Sequence, residues 1–232
     1  MILNKVKKAL VIAAHPDDEV LGCGGTLNKL AGYGAKVYPL FLSDGESSRK
    51  ITNKKKIKLI NSRKTSAIKS AKILKIQKPI FLNLPDNSLD SVPLLEIIKK
   101  VEKYVKRIKP DLVFTHSYSD LNIDHQIANK ATVTACRPQS KKSVKNILFF
   151  EVLSSTEWNF SNDKKFFRPN LFVGIDKNIK TKIKALKCYK SEIKKWPHAR
   201  SMKSIINNSQ RRGSTVGLKN AEAFEVSRII LN

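Results

Sequence analysis

Ala9-Leu10-Val11-Ile12-Ala13-Ala14 is an unbroken apolar run that passes directly into His15-Pro16-Asp17-Asp18-Glu19. A strand with one wet face alternates apolar and polar residues, so a run with no polar position reads as a strand covered on both sides. Such a strand requires helices above and below its sheet. The following segments supply them. Glu19 to Tyr33 places Val20, Leu21, Leu27, Leu30 and Ala31 at helical spacing, with Gly34 positioned to stop the helix. Lys36 to Ser43 reads as a second strand. Asn53 to Leu74 is a basic helix with Ile57, Ile60, Ala67, Ile68, Ala71 and Leu74 on one side. Pro79 to Leu82 is a short strand, Val92 to Ile108 a helix ending before Pro110, and Asp111 to Thr115 another strand. After Ser140 the pattern loosens: Ile147 to Val152 and Leu171 to Ile175 read as strands, Ile179 to Ile193 and Met202 to Ser209 as helices. This alternation predicts an α/β fold with a mainly parallel sheet, whose reactive groups gather in loops at the carboxyl ends of the strands.

No Pro/Gly/Ser-rich linker divides the 232 residues, so the expectation is a single domain over 1–232, its less regular part from about 141 completing a substrate cleft. With 41% hydrophobic and 28% charged residues, disorder is excluded. The apolar run is too short to span a bilayer and leads into charged residues rather than a cleavage site. No membrane span and a cytoplasmic location are therefore expected. Cys23, Cys136 and Cys188 are odd in number and widely spaced, which argues against disulfides and a thiolate metal site. A net charge of +26 would ordinarily suggest polyanions. Its lysines, however, are scattered along the chain, as in Lys54-Lys55-Lys56, Lys99-Lys100, Lys141-Lys142 and Lys164-Lys165, alongside abundant Ile and Asn, all with codons rich in A and T. Two readings follow, a solvated surface or a field that attracts an anionic substrate. No nucleic-acid motif accompanies the charge, and no specific nucleic-acid partner is expected.

His15-Pro16-Asp17-Asp18-Glu19 packs an imidazole and three carboxylates at the end of a buried strand. A catalytic zinc takes three His or carboxylate ligands and keeps one position for water. His15 and Asp18 can reach one ion at a strand-to-helix turn while Asp17 points to the open side, and Pro16 stiffens the turn. A third ligand must come from elsewhere in a chain with four histidines. His116 and His125 both follow a strand of the same predicted sheet.

Ala14-His15-Pro16-Asp17-Asp18-Glu19, extended by Leu21-Gly22-Cys23-Gly24-Gly25-Thr26, resembles the opening motif of the LmbE/PIG-L family of N-acetylglucosaminyl deacetylases. The resemblance continues through Ser43-Asp44-Gly45-Glu46, Arg63, Ala71-Lys72-Ile73-Leu74, Leu84-Pro85-Asp86 and Asn122-Ile123-Asp124-His125. It closes with His198-Ala199-Arg200-Ser201, Arg212-Gly213 and Ala221-Glu222-Ala223-Phe224. It implies a Rossmann-like three-layer α/β/α fold and removal of an acetyl group from an amino sugar. The ligands it implies are His15, Asp18 and His125 on one zinc ion, with Asp17 as general base. Many relatives carry a second histidine three positions before the distal ligand, to hold the oxyanion. This chain has Asn122 there, so Asn122 or His116 is the candidate for that role. Arg63 and Asp86 match substrate-contacting positions, though Ser66 replaces an acidic residue common after Arg63.

His198, after Trp196-Pro197, is read as lining the cleft or starting a helix, and Glu151 to Trp158 offers hydroxyls and an aromatic face suited to a sugar. Gly22, Gly24 and Gly25 lack the full dinucleotide spacing and follow carboxylates that would repel phosphate, so they read as close helix packing. The expected partner is an N-acetylated amino-sugar substrate, anionic if the charge is functional; a homo-oligomer is compatible with the sequence. The competing functions are a basic nucleic-acid-binding protein, a silent sugar-binding relative and a deacylase of a non-sugar amide.

Overall fold

The computed structural model describes residues 3–48, 52–139, 143–160 and 166–231; the Lys141-Lys142 and Lys164-Lys165 runs lie outside them. Strand and helix alternate from β1 (Lys8–Ala13) through α1 (Asp18–Gly32), β2 (Lys36–Ser43), α2 (Asn53–Leu74), β3 (Ile80–Leu84), α3 (Leu94–Ile108), β4 (Leu112–His116) and α4 (Ile123–Ala135) to β5 (Asn146–Phe150). Then come β6 (Leu171–Gly174), α5 (Ile179–Leu186), α6 (Met202–Ser214) and β7 (Ala221–Arg228). The sheet runs β3-β2-β1-β4-β5-β7-β6. Its first five strands are parallel, and β7 is antiparallel to both neighbours.

The apolar run behaves as its composition requires. Ala9, Val11 and Ala13 enter the core beneath α1, α2 and α5, while Leu10, Ile12 and Ala14 enter the core beneath α3 and α4. The result is the expected three-layer α/β/α arrangement. Chain order reverses between β1 and β4, and at such a switch point the loops beyond the strand ends diverge to leave a crevice. Among the described residues no helix is long and apolar enough to cross a membrane.

Some elements differ from expectation. The helix foreseen up to Ile193 ends at Leu186, and the one foreseen from Met202 to Ser209 continues to Ser214. Neither α4 nor β7 was legible in the pattern.

The glycines of α1 do serve close packing. A Cβ at Gly22 would lie 2.3 Å from Phe150 Cδ2, and one at Gly25 2.9 Å from Ile175 Cγ2. At Cys23 the helix breaks (φ −142°, ψ 15°), which strips nearby amides of their partners. The Glu222 carboxylate caps the resumed helix, accepting from Gly25 N (2.9 Å) and Thr26 N (2.7 Å). Lys182 Nζ, 2.6 Å from Glu222, also donates to Leu21 O. The ground under the β1–α1 loop is thus pinned from the far end of the chain.

Candidate active site

The loop leaving β1 carries Asp17 at φ 136°, a sparsely populated conformation that costs about 1–3 kcal/mol. Glu19 holds it there: its Oε2 accepts from Asp17 N at 3.0 Å, while Tyr189 Oη donates to its Oε1 at 2.8 Å. Burial pushes the Glu19 carboxyl up to about 8. The turn brings His15 Nδ1 to 3.2 Å from Asp18 Oδ2. From the first turn of α4, His125 Nε2 approaches to 3.3 Å from His15 Nδ1 and 3.4 Å from Asp18 Oδ2.

These three atoms form a nearly equilateral triangle. Two ligands about 2.1 Å from a tetrahedral zinc are separated by about 3.4 Å, so its edges suit one face of such a site. The donor chemistry agrees. His15 Nε2 lies 3.1 Å from Asp124 Oδ2 and 3.3 Å from Asp86 Oδ1, and His125 Nδ1 lies 3.1 Å from Asp120 Oδ2. Each inward nitrogen is therefore backed by a carboxylate on the opposite side of its ring, as metal-bound imidazoles usually are. Asp18 Oδ1 is buried and has no hydrogen-bond partner among the described residues.

The electrostatics point the same way. Burial opposes charge on His15 and His125, yet the carboxylates prevail, raising His15 to about 10 through Asp124, Asp18 and Asp86, and His125 to about 9 through Asp18 and Asp120. Burial would also raise Asp18, but His125, His15 and His116 hold it well below the usual carboxylate range. This field favours a cation, and an ion entering it would have to displace protons from the two imidazoles.

A polar cleft of about 140 Å³ opens beside the triangle, lined by His15, Asp17, Gly45, Ser48, Arg63, Asp86, Asn87, Asn122, Glu192 and Arg200. Asp17 is 1% exposed; burial raises it to about 6 against the opposing pull of Arg200 and Arg63. Arg200 Nη1 lies 3.2 Å from Asp17 Oδ2 and 3.1 Å from Glu192 Oε2. Arg63 donates from Nε to Glu46 (3.0 Å), from Nη1 to Pro16 O (3.2 Å), and from Nη2 to Glu46 (2.8 Å) and Glu192 (2.5 Å). Asp86 Oδ2 accepts from Ser48 Oγ at 2.5 Å.

Two expected substrate contacts lie elsewhere. His116 is fully buried, stacked on His125 at 3.9 Å, and its Nε2 accepts from Ala14 N at 2.9 Å. That lone pair is committed and the ring faces no cleft; burial also holds its pKa well down, keeping it neutral. His198 is not in the lining either. Its Nδ1 accepts from Arg200 N at 2.9 Å, and its ring sits edge-on to Trp158 at 6.0 Å. Asn122 does line the cleft, but its Oδ1 caps α4, accepting from Asp124 N (2.8 Å) and His125 N (3.4 Å), and its Nδ2 donates to Asn87 Oδ1 (3.1 Å).

Four residues of the site went unassigned in the sequence. Asp120 and Asp124 stand five and one positions before His125, and their density there was the available signal. Glu192 fell inside a helix predicted too long. Arg200 was visible only as part of His198-Ala199-Arg200-Ser201.

A family model described as GlcNAc-PI de-N-acetylase, PIG-L, matches residues 10–136. The Escherichia coli (strain K12) protein named uncharacterized deacetylase YaiS is 30% identical over 194 residues, spanning 81% of this chain and 93% of its own. Diacetylchitobiose deacetylase of Thermococcus kodakarensis is 26% identical over 196 residues, 82% of this chain and 71% of its own. Among solved structures, N,N'-diacetylchitobiose deacetylase from Pyrococcus horikoshii superposes with a TM-score of 0.78 at 22% identity, over 97% of this chain and 85% of that one.

Proposed function

Because this chain belongs to the PIG-L family of GlcNAc-PI de-N-acetylases, we propose that it is a zinc-dependent hydrolase that removes the acetyl group from an N-acetylated amino sugar or its glycoconjugate. Free amine and acetate are the products. The observation that carries this reading is the His15, Asp18 and His125 triangle set beside the buried carboxylate of Asp17, which faces the same cleft next to two guanidiniums. His15, Asp18 and His125 would hold the zinc ion, which when bound would act as a Lewis acid toward the acetyl carbonyl and lower the pKa of water to about 7.

The chain's own residues supply the rest. Asp17 takes the proton of the attacking water and returns it to the departing nitrogen, a role suited to a carboxylate raised to about 6. Asp120 and Asp124 fix the two imidazoles. Arg63 ties Pro16 O and Glu46 together, holding the loop that carries Asp17, and its place in the lining supports a substrate contact. Asp86 offers an acceptor to sugar hydroxyls at the mouth, beside Asn122, which holds the start of α4 there.

The deciding experiment loads the protein with zinc and assays amine release from free, nucleotide-linked and glycoside-linked N-acetylamino sugars. About one ion per chain and release from at least one sugar are expected. Failure to retain a divalent ion, or silence on the whole panel, would refute the reading.

A further inference from the structure

Acetyl transfer to water places negative charge on the acetyl oxygen, and preorganised donors aimed at that charge are worth more than any general attraction to the substrate. Two cations line the cleft. All three nitrogens of Arg63 are engaged by Glu46, Pro16 O and Glu192. Arg200 differs. Its Nε donates to Ser154 Oγ at 2.6 Å and its Nη1 to Asp17 Oδ2 and Glu192 Oε2, but among the described residues Nη2 has no partner. The neutral amide of Asn122 is occupied by capping α4 and by Asn87, and His116 is sealed below the cleft.

We propose that Arg200 is a catalytic residue whose free Nη2 donates to the acetyl oxygen as negative charge develops there. The proposal rests on the deacetylase reading of the same cleft. Its support is in the clamping. The guanidinium is fixed on two sides, its backbone N–H is held by His198 Nδ1, and Ser154, which receives Nε, sits at φ 70° with its own N–H bonded to Glu157. A guanidinium so held at the cleft wall keeps its remaining donor in place without reorganising, its Nη1 3.2 Å from the base that starts the reaction.

In the step itself, the water oxygen bonds to the acetyl carbon while its proton passes to Asp17. The carbonyl π pair moves onto the acetyl oxygen, which Arg200 Nη2 bonds without giving up a proton. When that pair returns, the C–N bond breaks and the proton on Asp17 goes to the leaving nitrogen. Acetic acid then ionises in solvent.

The test compares wild type with Arg200→Gln and Arg200→Lys, using N-acetylglucosamine derivatives as substrates and the methylphosphonamidate of glucosamine as a tetrahedral probe whose binding is measured by calorimetry. R200Q should lose about 10²–10³ in kcat with KM moved much less, because one oxyanion donor is gone. Its affinity for the tetrahedral probe should fall by the same factor as kcat/KM, at unchanged zinc content. R200K should recover part of both. Should R200Q disturb the fold, Arg200→Ala assayed with added guanidinium ion takes its place; rescue by guanidinium but not by urea is expected. The proposal is overturned if R200Q binds the probe as tightly as wild type, if its turnover stays within threefold, or if guanidinium rescues nothing. A wild type that neither binds the probe nor releases amine would instead sink the deacetylase reading beneath it.

Discussion

Asp17 and Asp18 are adjacent in sequence, yet their surroundings give them different chemistry. Asp18 faces three imidazoles and is held ionised, whereas Asp17, whose burial outweighs the pull of the arginines beside it, is raised to about 6. Asp17→Asn should therefore keep both fold and ion while turnover drops by about 10²–10⁴, the usual cost of losing general acid–base help. In the wild type the working form is the carboxylate, so kcat/KM is present above about pH 6 and lost as pH falls through it. Zinc content must be followed at each pH, since protons compete for His15 and His125. An acid limb near 4 with the ion in place would speak against Asp17 as the base. The histidines make a second contrast. His125→Ala should abolish metal retention, while His116→Ala should retain it and lose about 1–3 kcal/mol by stranding the buried Ala14 N–H. Metal analysis and thermal melts separate the two. At this scale the sequence exposed what was dense and local, such as His15 to Glu19. Arg200, Asp17 and Glu192 meet only because a loop between α5 and α6 folds back over the cleft, and no local pattern encodes that.

Elements were legible where apolar spacing alone decides them. β2 and α2 have the limits expected from their patterns. α4 was hidden because its stripe of Ile127, Ala128 and Ala131 is interrupted by Asn129 and Thr132, polar residues whose burial depends on His116 O and Thr115 of β4. β7 inverts the usual signal: Glu222 and Glu225 are buried along with the apolar residues between them, one by Lys182 and backbone amides, the other by Ser117 and Arg168 N. Gly22 tests the packing of α1. Gly22→Ala would drive a methyl group into Phe150 and should destabilise by about 1–3 kcal/mol. For a chain this size each kcal/mol lowers Tm by roughly 2–4 °C, and Phe150→Leu should restore part of the loss. Unchanged melting in Gly22→Ala would show that the contact is loose.

Over the whole molecule, the charge of +26 stays ambiguous in composition but makes a kinetic difference. If it steers substrates, kcat/KM for a nucleotide-linked sugar should fall steeply between low and physiological salt, while a neutral glycoside should barely respond, because screening sets in beyond roughly 8–10 Å. Parallel responses from both would assign the lysines to solvation alone. The layered architecture was legible because parallel strands covered on two faces leave few alternatives; the antiparallel β7 between β5 and β6 was not, since nothing in its residues names its neighbours. That late strand has a consequence for biosynthesis. Glu222 caps the amides of Gly25 and Thr26, made 197 and 196 residues before it, so the helix beneath the histidine loop is finished only when β7 has left the ribosome. Until then β5 presents an unpaired edge, and the nascent chain holds His15 and Asp18 in a half-built sheet. The stretch from 10 to 136 that the family model matches thus ends before the strand that completes this cap and pairs with β5.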